Sequence, residues 1–173
     1  RQFTQFGLEV IGEMHPLLDA QVIHLAYEIT RALQLEAFRI EVNSIGHQGP
    51  ECRPDYVALL KDHAHAHIQK LCRDCRVRYR KNPLRILDCK QEKCQVVANM
   101  APKMTEHLCD ACRTHYRELL GLLADLHIPV KENPRLVRGF DYYTKTVFEF
   151  VPTPVLGRPE TGHPEGAAGR FGD

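Results

Sequence analysis

The chain has 173 residues, 43% of them hydrophobic, and 23 Lys/Arg against 22 Asp/Glu give a formal net charge of +1. That length and apolar content suffice for one packed domain, or a domain with a subdomain, and no low-complexity tract or internal repeat is present. No run approaches the roughly eighteen consecutive apolar residues of a membrane span, and no charged start leads into an apolar stretch, so a soluble, cytoplasmic chain without a targeting segment is expected.

Residues 1–12 open with strand-like alternation: Phe6, Leu8 and Val10 project to one face, Gln5, Gly7 and Glu9 to the other. Gln5 and Glu9 would stand about 13 Å apart at roughly 3.3 Å per residue, with the side-chain-free Gly7 leaving room for a small ligand. A solvated polar face with a glycine bulge produces the same pattern. Pro16 suits a helix start, and Leu18, Val22, Leu25, Ala26, Ile29 and Leu33 mark one face of a helix over about 17–34. Phe38, Ile40 and Val42 then alternate with Arg39 and Glu41 as a second strand, ending in the Asn43-Ser44-Ile45-Gly46 turn.

From Pro54 to about Tyr79 the apolar spacing is helical again, and a further helix is predicted over about 105–126, with a cysteine-bearing connector between them. Residues 127–131 and 144–152 read as strands, and the order of elements makes the fold α+β. The charge is uneven along this plan, since residues 52–117 hold fourteen Lys/Arg and seven Asp/Glu, leaving nine and fifteen elsewhere. A basic middle on an acidic remainder suits a nucleic-acid contact, and a solvated helix surface accounts for it almost as well.

The cysteines form two C-x-x-C pairs, Cys72/Cys75 and Cys109/Cys112, with Cys89 and Cys94 between them and Cys52 apart. Two such pairs can supply four thiolates to a tetrahedral Zn²⁺, and a metal can organise a subdomain whose own core is thin. Cys72, Cys75, Cys109 and Cys112 are the expected set. Cys89 and Cys94 could replace one pair, and His115 could replace one thiolate; reduced structural thiols are the plain alternative. His63, His65 and His67 lack the acidic residue of a zinc-hydrolase pattern and read as surface histidines.

Residues 138–143, Arg-Gly-Phe-Asp-Tyr-Tyr, pack a cation, a flexible backbone point, a carboxylate and two phenols into six positions, immediately before the strand at 144–152. That chemistry suits a polar substrate, although Tyr142 and Tyr143 could equally be ordinary strand aromatics. Leu136-Val137-Arg138-Gly139-Phe140-Asp141-Tyr142-Tyr143-Thr144-Lys145-Thr146-Val147-Phe148-Glu149-Phe150 resembles the histidine-specific signature of the histidyl-tRNA synthetases. The Gln5-x-Gly7-x-Glu9 strand resembles the end of that family's motif 2, and the Asn43–Gly46 turn and Asn82-Pro83-Leu84-Arg85-Ile86-Leu87-Asp88-Cys89-Lys90 are also similar to the family. The resemblance covers nearly all of residues 1–150.

It implies a class II antiparallel sheet flanked by helices, divided here into catalytic core over 1–51, a helical, basic insertion over 52–126, and core again over 127–150. Residues 151–173 would be a Pro/Gly-rich tail. The implied activity is formation of histidyl-adenylate from L-histidine and ATP, assisted by Mg²⁺, and acyl transfer to tRNA(His), in a protein that is a homodimer at full length. Arg138 matches the catalytic arginine that also contacts ATP, Gln5, Glu9 and Tyr143 match residues contacting histidine, and Tyr142 and Arg1 are weaker matches for histidine and ATP respectively. Motif 1, motif 3 and the anticodon-binding domain are not matched, and residues 166–173 are only partly similar to the family's glycine-rich strand. An internal portion of a longer synthetase, inactive alone, is therefore expected. A histidine-binding regulator without tRNA affinity and a zinc-dependent nucleic-acid module centred on 52–126 are the rival readings.

Overall fold

The computed structural model describes residues 2–35, 37–139 and 142–153. Its organising element is β1 (Phe38–Ser44), the middle strand of a three-stranded sheet of order β2-β1-β3, with β2 at Val130–Glu132 and β3 at Thr146–Pro152. β1 runs antiparallel to β3, placing Ile40 opposite Phe150 and Val42 opposite Phe148, and parallel to β2, placing Ile40 opposite Val130. The sheet is thus mixed where the resemblance implied an antiparallel one. A parallel pair needs a long crossover, and residues 45–129, which include the stretch expected as a helical insertion, supply it. The α+β class holds.

Alternation along β1 sorts its two faces. Phe38, Ile40 and Val42 join Phe148 and Phe150 in the main core, beneath α1 (Pro16–Ala32) and α5 (Asp110–Asp125). Rings tie the layers together, with Tyr27 edge-on to Phe38 at 6.1 Å and Phe38 against Phe150 at 5.3 Å between centroids. His15 caps α1 by accepting from the Leu17 N–H at 3.2 Å, and Pro16 occupies the first turn, where its missing N–H costs nothing. The stripe that α1 buries is Pro16, Ala20 and Ile23, with Leu25 exposed. Apolar residues on two sides of α1 offered two rows, and only packing against α5 selects between them.

The insertion begins with α2 (Arg53–Ala66) and α3 (Arg73–Lys81), and these replace the single helix expected over 54–79. A 3-10 turn at Ile68–Lys70 and an extended Leu71 separate them, and the Cys72 sulfur caps α3 by accepting from the Cys75 N–H. The connector carries a further short helix, α4 (Glu92–Asn99), whose two turns give too little periodicity to stand out in the sequence. The insertion has its own small core of Ala64, Leu71, Cys75, Ile86, Cys89, Cys94 and Val97.

Residues 2–15 carry no strand, correcting the expectation for Gln5 to Glu9; Phe3 and Phe6 are each 79% exposed. A strand is stabilised by its neighbours and not by itself, and this segment has no pairing partner among the described residues. Arg1, Phe140, Asp141 and, of the tail assigned to 151–173, residues 154–173 lie outside the described residues, while Val151 and Pro152 complete β3. Among the described residues no helix is long and apolar enough to cross a membrane.

His115, on the α5 face toward α1, is 7% exposed and 3.6 Å from Asp19. Burial, helped by Lys145 and His15 and opposed by Asp19 and Glu118, holds its imidazolium below the usual range. A depressed histidine pKa means that the unfolded chain binds the proton more readily, so this contribution is complete above about pH 6.5 and is lost as pH falls through the folded value. Urea unfolding should show a midpoint that drops between about pH 7 and pH 5, and the drop should be smaller in His115→Gln.

Candidate functional site

The second face of the sheet, bearing Arg39, Glu41 and Glu149, floors an open cleft of about 560 Å³. Glu41 is 7% exposed, yet it stays ionised more readily than a usual glutamate. Burial alone would raise its pKa, and this is outweighed by hydrogen bonds from Arg39 (Nε at 2.7 Å) and Asn133, with Lys131 adding positive charge. Glu149 lies directly across from Glu41 on β3.

One wall is the segment that leaves β2. The buried Asn43 amide donates to the Leu136 carbonyl at 3.0 Å, and the Arg138 guanidinium donates to the Phe148 carbonyl on β3. Arg138 therefore lines the cleft with the backbone before it anchored to β1 and its side chain anchored to β3. The facing wall comes from the stretch around residues 85–95, where Arg85 Nε donates to Asp88 at 2.9 Å, and Arg135 from the first wall reaches across to donate from Nε to the Leu87 carbonyl at 3.1 Å. A side chain at Gly139 would approach Arg85 Nη1 to 2.9 Å, so glycine permits the close contact between the signature segment and the insertion.

Tyr143 is positioned separately. Arg53, 5% exposed at the start of α2, donates to the carbonyls of Ile45 at 2.9 Å and Gly46 at 3.0 Å, and also to that of Tyr143. The guanidinium thus ties the turn after β1 to the segment entering β3. Tyr143 stacks on Tyr142 at 4.8 Å, with Tyr142 71% exposed. Gly46 adopts φ +61°, and a Cβ there would lie 2.6 Å from Cys52 Sγ, so the turn accepts only glycine.

The cysteines separate into two groups, Cys72, Cys75, Cys89 and Cys94 in one and His47, Cys52, Cys109 and Cys112 in the other. The single set Cys72, Cys75, Cys109 and Cys112 is corrected accordingly, because the fold carries each C-x-x-C pair to a different pair of partners. His115 belongs to neither group. Cys72 and Cys109 stand just before α3 and α5, and in both burial opposes ionisation but is outweighed by hydrogen bonds to the sulfur, from Cys75 in the first and Cys112 in the second, so both thiols ionise more readily than usual. Burial pushes Cys75 and Cys94 up, and it pushes Cys112 up to about 12.

Of the residues expected to meet substrate, Arg138 lines the cleft, Tyr142 and Tyr143 stand at the entrance to β3, and Gln5 and Glu9 are exposed on the unpaired segment. The structure does not bring these five into one pocket. Glu41, Asn133 and Arg53 escaped the sequence reading. The alternation of Arg39 and Glu41 against Ile40 and Val42 was a usable signal for the cleft floor, whereas nothing local marks Arg53 as buried. His63 and His67 bond to the backbone carbonyls of Val97 and His63, at 2.9 and 3.0 Å.

The family model for histidyl-tRNA synthetase matches residues 1–159. A histidine–tRNA ligase of Dehalococcoides mccartyi is 47% identical over 152 residues, 88% of this chain and 36% of that protein. That of Caldicellulosiruptor bescii is 46% identical over 153 residues, again 88% and 36%. The apo crystal structure of S. aureus histidyl-tRNA synthetase superposes with a TM-score of 0.59 at 31% identity, covering 80% of this chain and 32% of that one. The chain spans about a third of the length of the relatives it matches.

Replacing Arg53 by Met leaves the carbonyls of Ile45, Gly46 and Tyr143 short of a donor and should cost about 2–4 kcal/mol of unfolding free energy. Chemical denaturation measures the loss, and amide exchange around Tyr143 should accelerate.

Proposed function

Because the chain belongs to the histidyl-tRNA synthetase family, we propose that it supplies part of the catalytic domain of a histidine–tRNA ligase, which activates L-histidine with ATP and passes the acyl group to tRNA(His). The observation that carries this reading is the placement of Arg138 on the wall of a polar cleft, anchored to β3. A guanidinium is permanently charged, and its planar fork suits the oxygens of the α-phosphate as negative charge builds there during attack by the histidine carboxylate.

Around it, Arg39, Arg85 and Arg135 give the cleft a positive lining suited to a nucleotide. Mg²⁺ needs oxygen ligands and usually retains phosphate and water. Glu41 and Glu149 are carboxylates of the right kind on the cleft floor, and Glu41 is engaged by Arg39 and Asn133, which leaves Glu149 to hold the ion. A bound Mg²⁺ would neutralise phosphate charge there. Tyr143 would offer its hydroxyl to an imidazole nitrogen, Tyr142 would support it by stacking, Glu9 would pair with the α-ammonium, and Gln5 would orient it. For that, residues 5–9 must join a sheet, and we propose that they do so in the whole enzyme, a homodimer in which Arg1 reaches ATP. The cysteine groups would hold structural zinc.

In the whole ligase, Arg138→Lys should lower kcat for histidine-dependent ATP–pyrophosphate exchange about 10²–10³-fold, with the KM for histidine little changed. The 173 residues alone should give no exchange above background. Unimpaired exchange by the Lys variant would overturn the role of Arg138. Histidine binding without any exchange in the whole protein would favour a regulator instead.

The basic surface of α3, where Arg73, Arg76, Arg80 and Lys81 edge a groove together with Lys93, fits a tRNA backbone contact. Reversing Arg76 and Arg80 to Glu should weaken tRNA(His) binding and flatten the dependence of log K on log salt, each lost phosphate contact removing about one unit of slope. Binding by filter retention at several salt concentrations checks this, and histidine activation should stay intact.

A further inference from the structure

We propose that this protein carries two zinc ions, one bound by Cys72, Cys75, Cys89 and Cys94, the other by His47, Cys52, Cys109 and Cys112, and that the second clamps the insertion to the turn positioning Tyr143. The proposal rests on reading the cysteines as metal ligands, and it assigns the ligand sets, the stoichiometry and the separate tasks.

Every one of the seven cysteines belongs to one of the two groups, and within each group the four ligand atoms lie within 4.8 Å of one another. A tetrahedral ion with metal–sulfur bonds of about 2.3 Å and metal–nitrogen bonds of about 2.0 Å sets neighbouring ligand atoms roughly 3.5–3.8 Å apart. Cys72 Sγ and Cys89 Sγ are 3.9 Å apart, and Cys109 Sγ and His47 Nε2 are 3.4 Å apart. Disulfides require sulfurs at about 2.05 Å, and all seven thiols are free. A multi-iron cluster holds its four sulfurs farther apart than a single ion does, so the compactness of both groups selects one ion each.

The backbone is arranged for such sites. The Cys75 N–H donates to Cys72 Sγ at 3.4 Å, and the Cys72 N–H donates to Cys94 Sγ at 3.2 Å, which is how a peptide loop supports thiolates bound to a metal. Three of the seven side chains in the insertion's core are cysteines, too thin a hydrocarbon core to hold α2, α3 and α4 together without help. His47 Nδ1 accepts from the Gly49 N–H at 2.7 Å, and Nε2 lies 3.5 Å from Glu51. Ligation through Nε2 therefore moves the ring proton to Nδ1 and releases the Gly49 bond, while each liganding thiol gives its proton to solvent.

The second site joins three elements. His47 follows the Gly46 turn, Cys52 stands just before α2 and next to Arg53, and Cys109 and Cys112 open α5. An ion there holds the start of α2 in place, and with it the Arg53 guanidinium that grips the Tyr143 carbonyl. The first site lies wholly within the insertion.

Metal analysis of the intact protein, purified without chelator, should find two zinc ions per chain, and X-ray absorption should find seven sulfurs to one nitrogen over the pair. Cys89→Ser and His47→Ala should each lower the count to one, with the remaining ion in His47→Ala coordinated by sulfur alone. Amide exchange around Tyr143 should quicken in His47→Ala and not in Cys89→Ser. His65→Ala should retain both ions. One zinc per chain, iron in place of zinc, or disulfides without metal would overturn the proposal. Should a variant fail to fold, the sulfur-to-nitrogen ratio of the unaltered protein still decides. The metal count needs neither histidine nor ATP, so its outcome is separate from that of the exchange assay.

Discussion

Everything in this fold is fastened to β1. Both of its edges are paired, its apolar face carries the helices, and its polar face floors the cleft. A strand occupied on four sides has little freedom, so the Asn43 amide that catches Leu136 and the Glu41 carboxylate that holds Arg39 and Asn133 act as fixed posts. The signature segment inherits its position from them. Arg138 is held through the bond from Asn43 on β1 to the nearby Leu136 carbonyl and through its own side-chain bond to the Phe148 carbonyl on β3.

The insertion achieves cohesion differently. Where the main core is built from interlocking rings and aliphatic side chains, the small core is rich in sulfur, and α3 beside it is short and heavily basic. A surface that attracts polyanions repels itself, and hydrocarbon burial on this scale is a weak counterweight. Metal ligation by the proposed cysteine groups would concentrate binding energy at a few thiols and leave the outer surface free to remain basic.

Strands over 38–42 and 144–152 were legible because their residues alternate with period two, but β1 runs on through Asn43 and Ser44, which read as turn residues, and β3 begins only at Thr146. The same alternation at Gln5 to Glu9 misled, since it reports that two faces differ and says nothing about whether a neighbour exists to pair with. The C-x-x-C spacings suggested ligand pairs, and each pair sits at the start of a helix, α3 and α5, but which pairs meet is a tertiary matter that no spacing encodes. The motif drew attention to Arg138, which lines the cleft. Arg53 was not legible, because a charged residue at a helix start is ordinarily solvated and here is buried among carbonyls.

The parallel pairing of Ile40 with Val130 bridges ninety positions of chain. Closing so long a loop is entropically costly, and contacts of this reach make folding slow unless the intervening chain is already compact. A crossover that folds compactly on its own shortens the effective distance between the two strands, so the stability of the intervening helices bears directly on how readily the sheet can close.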